Sequence, residues 1–563
     1  MRAHRTRQRL AALSRAFVSH PLWRQPWVVA LLALIAASAG LYLLWWATAI
    51  WGPMANSDGL TYLVTARMIH RGLGYGYPRF GGGIKPVTHF PPGYPWAISL
   101  LMSLTHGDEA RAALLLNALS LTALILLAAG ELYQATKHAF PAAGLAAWLA
   151  VAFPMAYLYG FVFSETLFLP VVFLTTWALR RWQENPTPSR ALVTGLMAGL
   201  AAYIRWIGLL LPAWIVLDTL LFWRRRRPRG WWYQLTLAAA GAILPTGVLL
   251  LVNHVRGGAA TNRQLLWHPP TREKWQQALH TFWAWADPLT QRIAEHDPRL
   301  TLALYALCLS ALTLAVLAAF RGRMPQPQRD LLRRWGLFAL LYFAGVVAAI
   351  ALVDASTPMD ARILAPLFPA LSLLFALSLW WLVRQRSIAT VLLTAVWVGL
   401  LFFNPKYAKQ HLTDYHYYGF QLRAKRWQKA PIWDAVRALP PEVQIFTNEY
   451  QETLYYADRP ASVLQFPLIR DGKAYLFDPV TLETRELSYH SLQEWARDLR
   501  QRYAGQCVAV VYVAIQEEEN RYRSLREALL PVFTPVYEDA SGIIFAPPGM
   551  EDCLRPKNSP SPP

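Results

Sequence analysis

Six side chains able to do acid, base or anion chemistry stand at the edges of long apolar runs: Asp58, Lys85, His89, Glu165, Arg205 and Arg362. Asp58 lies in NSDGLTYLVTARMIHRG, residues 56–72, where Leu60, Leu63, Val64 and Met68 recur at helical spacing. That pattern predicts an amphipathic helix lying at a membrane surface. Asp58 is then either the N-cap of this helix or an acid held out to a substrate. Lys85 follows in the same loop, with His89 opening the proline-rich HFPPGYP of residues 89–95. Glu165 sits in FSETLFLP, where a carboxylate at an apolar boundary is costly unless it is paired or used. Its alternatives are a salt bridge to Arg205, or another outer cation, and a role in the chemistry. Arg205 in YIRWIGLLLP and Arg362 in MDARILAPLFP each begin an apolar segment. Two guanidinium groups at one edge of a bilayer suit bidentate capture of a phosphate, or else they snorkel to lipid headgroups.

The elements that must hold these residues are membrane spans. The 563 residues are 55% apolar and 16% charged, with apolar runs of about twenty residues, the length that crosses a bilayer as a helix. Eleven runs predict about eleven transmembrane helices: 27–50, 110–130, 140–160, 163–181, 191–204, 206–223, 231–252, 300–320, 335–353, 362–383 and 387–403. The first run is too long for a cleaved signal peptide and predicts an anchor that keeps the basic residues 1–26 in the cytoplasm. With that start, nearly every arginine cluster, including RRRRPRG of residues 224–230, falls on the cytoplasmic side. The net charge of +20 therefore records topology and does not call for a nucleic-acid partner. The external side receives the loop 51–109, the loop 254–299, DASTPMDAR of residues 354–362, and the chain after Pro405.

The remainder changes character. Strand-like runs VQIFTN, SVLQF, CVAVVYVAI and GIIFAP alternate with helical patterns, which predicts a small α/β domain outside the cytoplasm, residues 404–550. Residues 551–563 read as a disordered, proline-rich tail. Cys507 and Cys553 can pair if that domain meets an oxidising compartment. The predicted fold class is thus mainly α: a polytopic helical bundle over residues 27–403 with a small C-terminal α/β domain.

An acid in the first external loop followed by a tyrosine, an alanine and a glycine (Asp58, Tyr62, Ala66, Gly72), then HFPPGYP, SETLF, IRWIGL and RILAPLFP, resembles the GT-C fold glycosyltransferases. The bacterial relatives of protein O-mannosyltransferases and the lipid A aminoarabinose transferases look most similar, and TNEYQETLYYADRPA of residues 447–461 is similar to the soluble region of such proteins. The resemblance implies transfer of a sugar, with inversion, from a polyprenyl-phosphate donor to an acceptor hydroxyl on a protein, lipid or glycan, at the outer face of the cell membrane. It implies Asp58 as general base, with Lys85, Arg205 and Arg362 neutralising the donor phosphate. Tyr62, His89 and Glu165 would contact the substrates. A divalent ion among Asp58, His89 and Glu165 is compatible with the residue types, although no spacing is diagnostic. Many such proteins carry a second acid directly after the first; here that position is Gly59, so the resemblance carries over no mechanism that needs paired acids.

Two other readings use the same residues. A transporter or flippase of lipid-linked glycans predicts ionisable groups along a path through mid-membrane, whereas the polar residues here are expected at one face. An envelope assembly protein would use the bundle only as an anchor, leaving the clustered polar face unexplained.

Overall fold

The computed structural model describes residues 20–222, 230–257, 260, 261, 263, 265–285, 298–385, 388–470, 473–477, 484–515 and 520–555. The basic residues 1–19, the arginines 224–227 and the tail 556–563 lie outside these.

Each of the eleven apolar runs falls on a helix or a helix pair. The first is α1, Pro26–Thr48, and the helix that carries Asp58 is α2, Ser57–His70. A hairpin of β1 (Gly76–Pro78) and β2 (Ile84–Pro86) leads to α3, Gly93–Met102. The bundle continues through α4 (Glu109–Thr136), the bent pair α5 and α6 (Ala139–Val151, Phe153–Gly160), α7 (Glu165–Glu184) and α8 (Pro188–Ile204). It then runs through α9 (Leu210–Phe222), α10 (Trp231–Gly257), the loop helix α11 (Arg272–Ala284), α12 (Pro298–Phe320), α13 (Gln326–Leu352), α14 (Leu367–Gln385) and α15 (Ile388–Tyr418). By length and apolar composition, five of the described helices can cross a membrane singly, or six if α5 and α6 form one bent span. Large apolar side chains such as Trp27, Ile35, Leu244 and Leu251 point outward, more than half exposed except where lipid would cover them. The chain is a multi-pass membrane protein.

The α2 helix differs from the sequence expectation. It is no amphipathic helix on a membrane surface, for residues 59–66 are all buried. Its polar residues are satisfied inside the protein. The Thr61 hydroxyl is bonded to Tyr77 Oη at 2.8 Å, and Thr65 Oγ1 donates to the Thr61 carbonyl at 2.7 Å.

A second expectation also changes, because polar side chains do not gather at one face alone. At the opposite end of the bundle buried Glu131 on α4, Asp218 on α9 and Arg334 on α13 form a cluster with the partly buried Arg180 and Gln183 on α7. Gln183 links two of them, donating to Asp218 at 2.6 Å and accepting from Arg334 at 2.9 Å. Such a network fastens helix ends at the cost of desolvating charge. Among the described residues, the fully buried charged side chains fall in this cluster, at Glu165, or in the C-terminal domain at Glu449 and Glu452.

Helix α15 runs through residue 404, so the C-terminal domain starts only after Gly419. Its sheet has five strands in the order β4, β3, β8, β10, β9: Ala461–Val463, Gln444–Thr447, Val508–Val513, Gly542–Ala546 and Thr534–Asp539. Strand β8, VAVVYV, is buried along its whole length and pairs in parallel with β3 and antiparallel with β10, as its continuous apolar sequence requires. A separate three-stranded antiparallel sheet, β5–β7, covers Leu468–Arg470, Lys473–Phe477 and Thr484–Leu487. Residues Glu551–Leu554, expected within a disordered tail, form a 3-10 turn. That turn is tied to the sheet by a Cys507–Cys553 disulfide with Cα atoms 5.9 Å apart. Because this bridge closes a loop of 46 residues, replacing Cys553 with serine is expected to destabilise the domain by about 2–4 kcal/mol. Without reductant the wild-type pair should resist alkylation, which peptide mass spectrometry reads directly.

Candidate active site

The site begins with two backbone hydrogen bonds. Met54 N–H donates to the Gly160 carbonyl at 2.9 Å and Val162 N–H to the Met54 carbonyl at 2.8 Å. They sew the segment before α2 to the turn before α7, so the acids of the two elements arrive side by side. Asn117, buried on α4, secures the same turn: its Nδ2 donates to the carbonyls of Tyr159 at 2.8 Å and Phe161 at 2.7 Å, while its Oδ1 accepts from Tyr94 and Thr166. A lone asparagine in the apolar LLLNALSL was its only signal in the sequence.

The N-cap of α2 is Asn56, whose Oδ1 accepts from Gly59 N–H at 3.0 Å. Asp58 is thereby free of capping duty and lies in the first turn, where the helix dipole favours a negative charge. Gly59 has no room for a side chain, since a Cβ there would stand 2.9 Å from Ala55 Cβ and 3.1 Å from the Val162 carbonyl oxygen. A second acid is therefore excluded by packing.

Arg362 bridges the two carboxylates. Its Nη1 donates to Asp58 Oδ2 at 2.6 Å and its Nε to Glu165 Oε1 at 2.7 Å, while its guanidinium lies over the Phe163 ring, 4.3 Å from the centroid. Asp360 Oδ1 accepts from the backbone N–H groups of Arg362 and Ile363, fixing the turn that aims the arginine. Arg205, in extended conformation where α8 breaks into a 3-10 turn at Trp206–Leu209, pairs with Glu165 and donates to Ser164 Oγ at 3.2 Å. The salt bridge offered as one alternative for Glu165 thus exists, with two arginines. Tyr62 Oη reaches Ser164 Oγ at 3.3 Å. Burial separates the carboxylates: the Glu165 side chain is fully enclosed, whereas Asp58 is 27% exposed, with no hydrogen bond on Oδ1 among the described residues.

The structure thus brings together Asp58, Tyr62, Glu165, Arg205 and Arg362. His89 lies beside this group but bonds elsewhere, its Nε2 meeting Arg263 Nη2 at 3.2 Å. Burial and the neighbouring Arg263 guanidinium hold its imidazole below the usual range. Arg263 also pairs with Asp354 at 2.7 Å. Lys85 is exposed on β2 and touches no member of the cluster. A divalent ion among Asp58, His89 and Glu165 does not fit: Glu165 Oε1 is taken by two arginines, and among the described residues no three His, Cys, Asp or Glu side chains converge as metal ligands.

The C-terminal domain grips α2 one turn beyond Asp58. Gln451 Nε2 donates to Thr61 Oγ1 at 3.0 Å. Arg67 donates to the Tyr455 carbonyl and Asp458 and pairs with Glu109, while Arg71 donates to both oxygens of Asp458. The residues of TNEYQETLYYADRPA therefore serve as the dock for this helix, a pairing invisible at a sequence separation of 387 residues or more.

Residues 89–250 match the family described as dolichyl-phosphate-mannose-protein mannosyltransferase. The structure is similar to ArnT from Cupriavidus metallidurans bound to undecaprenyl phosphate, with a TM-score of 0.57 and 15% identity over 93% of this chain and 98% of that one. It is also similar to the oligosaccharyltransferase of Archaeoglobus fulgidus, with a TM-score of 0.53 and 14% identity over 92% of this chain and 73% of that one. The arabinofuranosyltransferase AftD from Mycobacteria gives a TM-score of 0.50 and 16% identity over 92% of this chain and 40% of that one. No curated protein matches the sequence. The fold is the GT-C fold of integral-membrane glycosyltransferases.

Replacing Glu165 with glutamine would leave Arg205 and Arg362 sharing only the Asp58 charge in a buried setting. The expected cost is about 3–5 kcal/mol, read as a lower unfolding midpoint in detergent; an unchanged midpoint would show that the pair of arginines does not depend on Glu165.

Proposed function

We propose that this protein is a glycosyltransferase that passes a sugar from a polyprenyl-phosphate donor to an acceptor hydroxyl at the outer face of the cell membrane. The observation that carries this reading is the partly exposed Asp58 carboxylate held against Arg362 beside a fully buried Glu165. Two carboxylates in different environments suit different tasks. In the proposed step Asp58 Oδ1 accepts the acceptor's hydroxyl proton as the oxygen forms a bond to the anomeric carbon. The bond from that carbon to the phosphate oxygen breaks on the opposite face, its electron pair leaving with the lipid phosphate, and configuration inverts. Glu165 stays ionised and holds both arginines in place.

A lipid phosphate is already a good leaving group, so the protein mainly orients it and balances its charge. Arg362 uses Nε and Nη1 on carboxylates, and its Nη2, which has no hydrogen bond among the described residues, would take the phosphate. Arg205 acts more weakly in this role because Glu165 and Ser164 already hold it. Lys85, exposed on the hairpin of the same loop, supplies a charge with no acidic partner among the described residues. Tyr62 and His89 would line the sugar or acceptor side. The solved relatives bound to undecaprenyl phosphate and to a peptide with dolichol phosphate support a lipid-phosphate donor.

The arginine distribution supports a cytoplasmic N-terminus and an external C-terminal domain. On this reading the chain divides into a membrane part that carries Asp58, Glu165, Arg205 and Arg362 and runs to the end of α15 at Tyr418, and a C-terminal domain after Gly419. The transporter reading has less support. The buried charges lie at the two ends of the bundle and in the C-terminal domain, which does not make a path across it.

The test uses the full chain in lipid vesicles with a panel of undecaprenyl-phosphate sugars, following release of undecaprenyl phosphate. Asp58→Asn is expected to lower transfer by about 10²–10⁴-fold while membrane insertion and unfolding midpoint stay near wild type. Wild-type transfer rates in this variant would remove Asp58 as the base.

A further inference from the structure

A cavity of about 1030 Å³ lies away from the Asp58 cluster, between the end of α15, the short helix Lys425–Gln428 and the turn Asp539–Ser541 that joins β9 to β10. None of Asp58, Glu165, Arg205 or Arg362 lines it. The backbone of residues 51–55 stands between the two sites, held by Leu422 N–H donating to the Ala55 carbonyl at 3.0 Å and by Arg423 and Gln428 donating to the Trp51 carbonyl.

Three cations line the cavity: Lys425, Arg426 and Lys429. All are exposed, and among the described residues none has an acidic partner. The one acid in the wall, Asp539, is fully engaged, its Oδ1 accepting from Ser541 N–H, Ser541 Oγ and Gly542 N–H and its Oδ2 from Tyr537 Oη. The rest of the lining is largely apolar, with Tyr418, Phe420 and Ile515. An open, partly apolar cavity with surplus positive charge suits a ligand with an anionic head and a greasy remainder.

Its position points to lipid. Lys429 Nζ lies 5.6 Å from the Trp51 ring centroid, and Trp51 Nε1 donates to the Tyr417 carbonyl at 2.9 Å. Immediately before Trp51, where α1 ends, Ile50 and Trp45 are more than half exposed, as are Tyr417 and Tyr418 at the end of α15. Lys409 lies over the Trp46 ring at 4.3 Å. Exposed tryptophan and tyrosine with lysine beside them mark the level of lipid headgroups.

We propose that this cavity binds the phosphate-bearing headgroup of an anionic phospholipid, with Lys425, Arg426 and Lys429 on the phosphate and the acyl chains lying against Tyr417, Tyr418 and Trp45. The donor is a poor occupant because the residue 51–55 segment separates the cavity from Asp58. The proposal concerns binding alone and stands apart from the catalytic reading.

The experiment embeds the full chain in nanodiscs of phosphatidylcholine with a fixed fraction of phosphatidylglycerol and counts retained lipids by native mass spectrometry after detergent extraction. Wild type should retain phosphatidylglycerol in preference to phosphatidylcholine, and the triple variant Lys425→Gln, Arg426→Gln, Lys429→Gln should lose that preference by about tenfold or more. The charge-conserving variant Lys425→Arg, Lys429→Arg should keep it, as should Arg321→Gln, Arg323→Gln in the loop after α12. The proposal falls if the triple variant keeps the wild-type preference. It falls equally if the charge-conserving variant loses it, or if soluble glycerol phosphate displaces the retained lipid as effectively as phosphatidylglycerol does, since the site would then take a free anion.

Discussion

One fully buried carboxylate organises the end of the bundle that carries Asp58. Glu165 has no solvent to stabilise its charge, so the protein must supply positive groups, and it supplies two. Arg205 comes from the break after α8 and Arg362 from the loop before α14. An isolated buried charge would be too costly to keep. Each arginine therefore ties the element that delivers it to α7. Asp58 joins as a fourth charge through Arg362, which leaves the cluster neutral with its exposed member facing outward.

The same logic explains why α2 is buried. A short helix carrying threonines and arginines is uncomfortable inside a protein unless each polar group finds a partner. Tyr77, Gln451, Glu109 and Asp458 provide them. The C-terminal domain is consequently a part of the site's scaffold. Through Thr61 and Arg67 the residues 450–458 hold the helix that carries Asp58.

The membrane class, the helical runs, the α/β character of the C-terminal domain and the strands built on VQIFTN and CVAVVYVAI were legible because each rests on local periodicity or composition. The small antiparallel sheet of β5–β7 was not, since KAYLF and TREL are short and mix charge with apolar residues. Among candidate residues, Asp58, Tyr62, Glu165, Arg205 and Arg362 were visible as polar groups at the edges of apolar runs. Asn117, Ser164, Arg263 and Asp360 were missed: their partners are largely backbone groups or distant side chains, and no spacing in the chain announces them. The capping question at Asp58 was undecidable locally, because Asn56, Ser57 and Asp58 all belong to the residue types that cap helices.

Local composition alone shows which segments are apolar and helical and which ionisable groups stand at their edges, because the free energy of placing apolar and charged residues in lipid is read segment by segment. Tertiary structure alone decided how those ends meet. Asp58 and Arg362 are 304 residues apart, and their pairing depends on how α2 and the loop before α14 are placed against α7. Burial then divided two chemically similar carboxylates, enclosing Glu165 as the charge that holds the arginines and leaving Asp58 partly exposed.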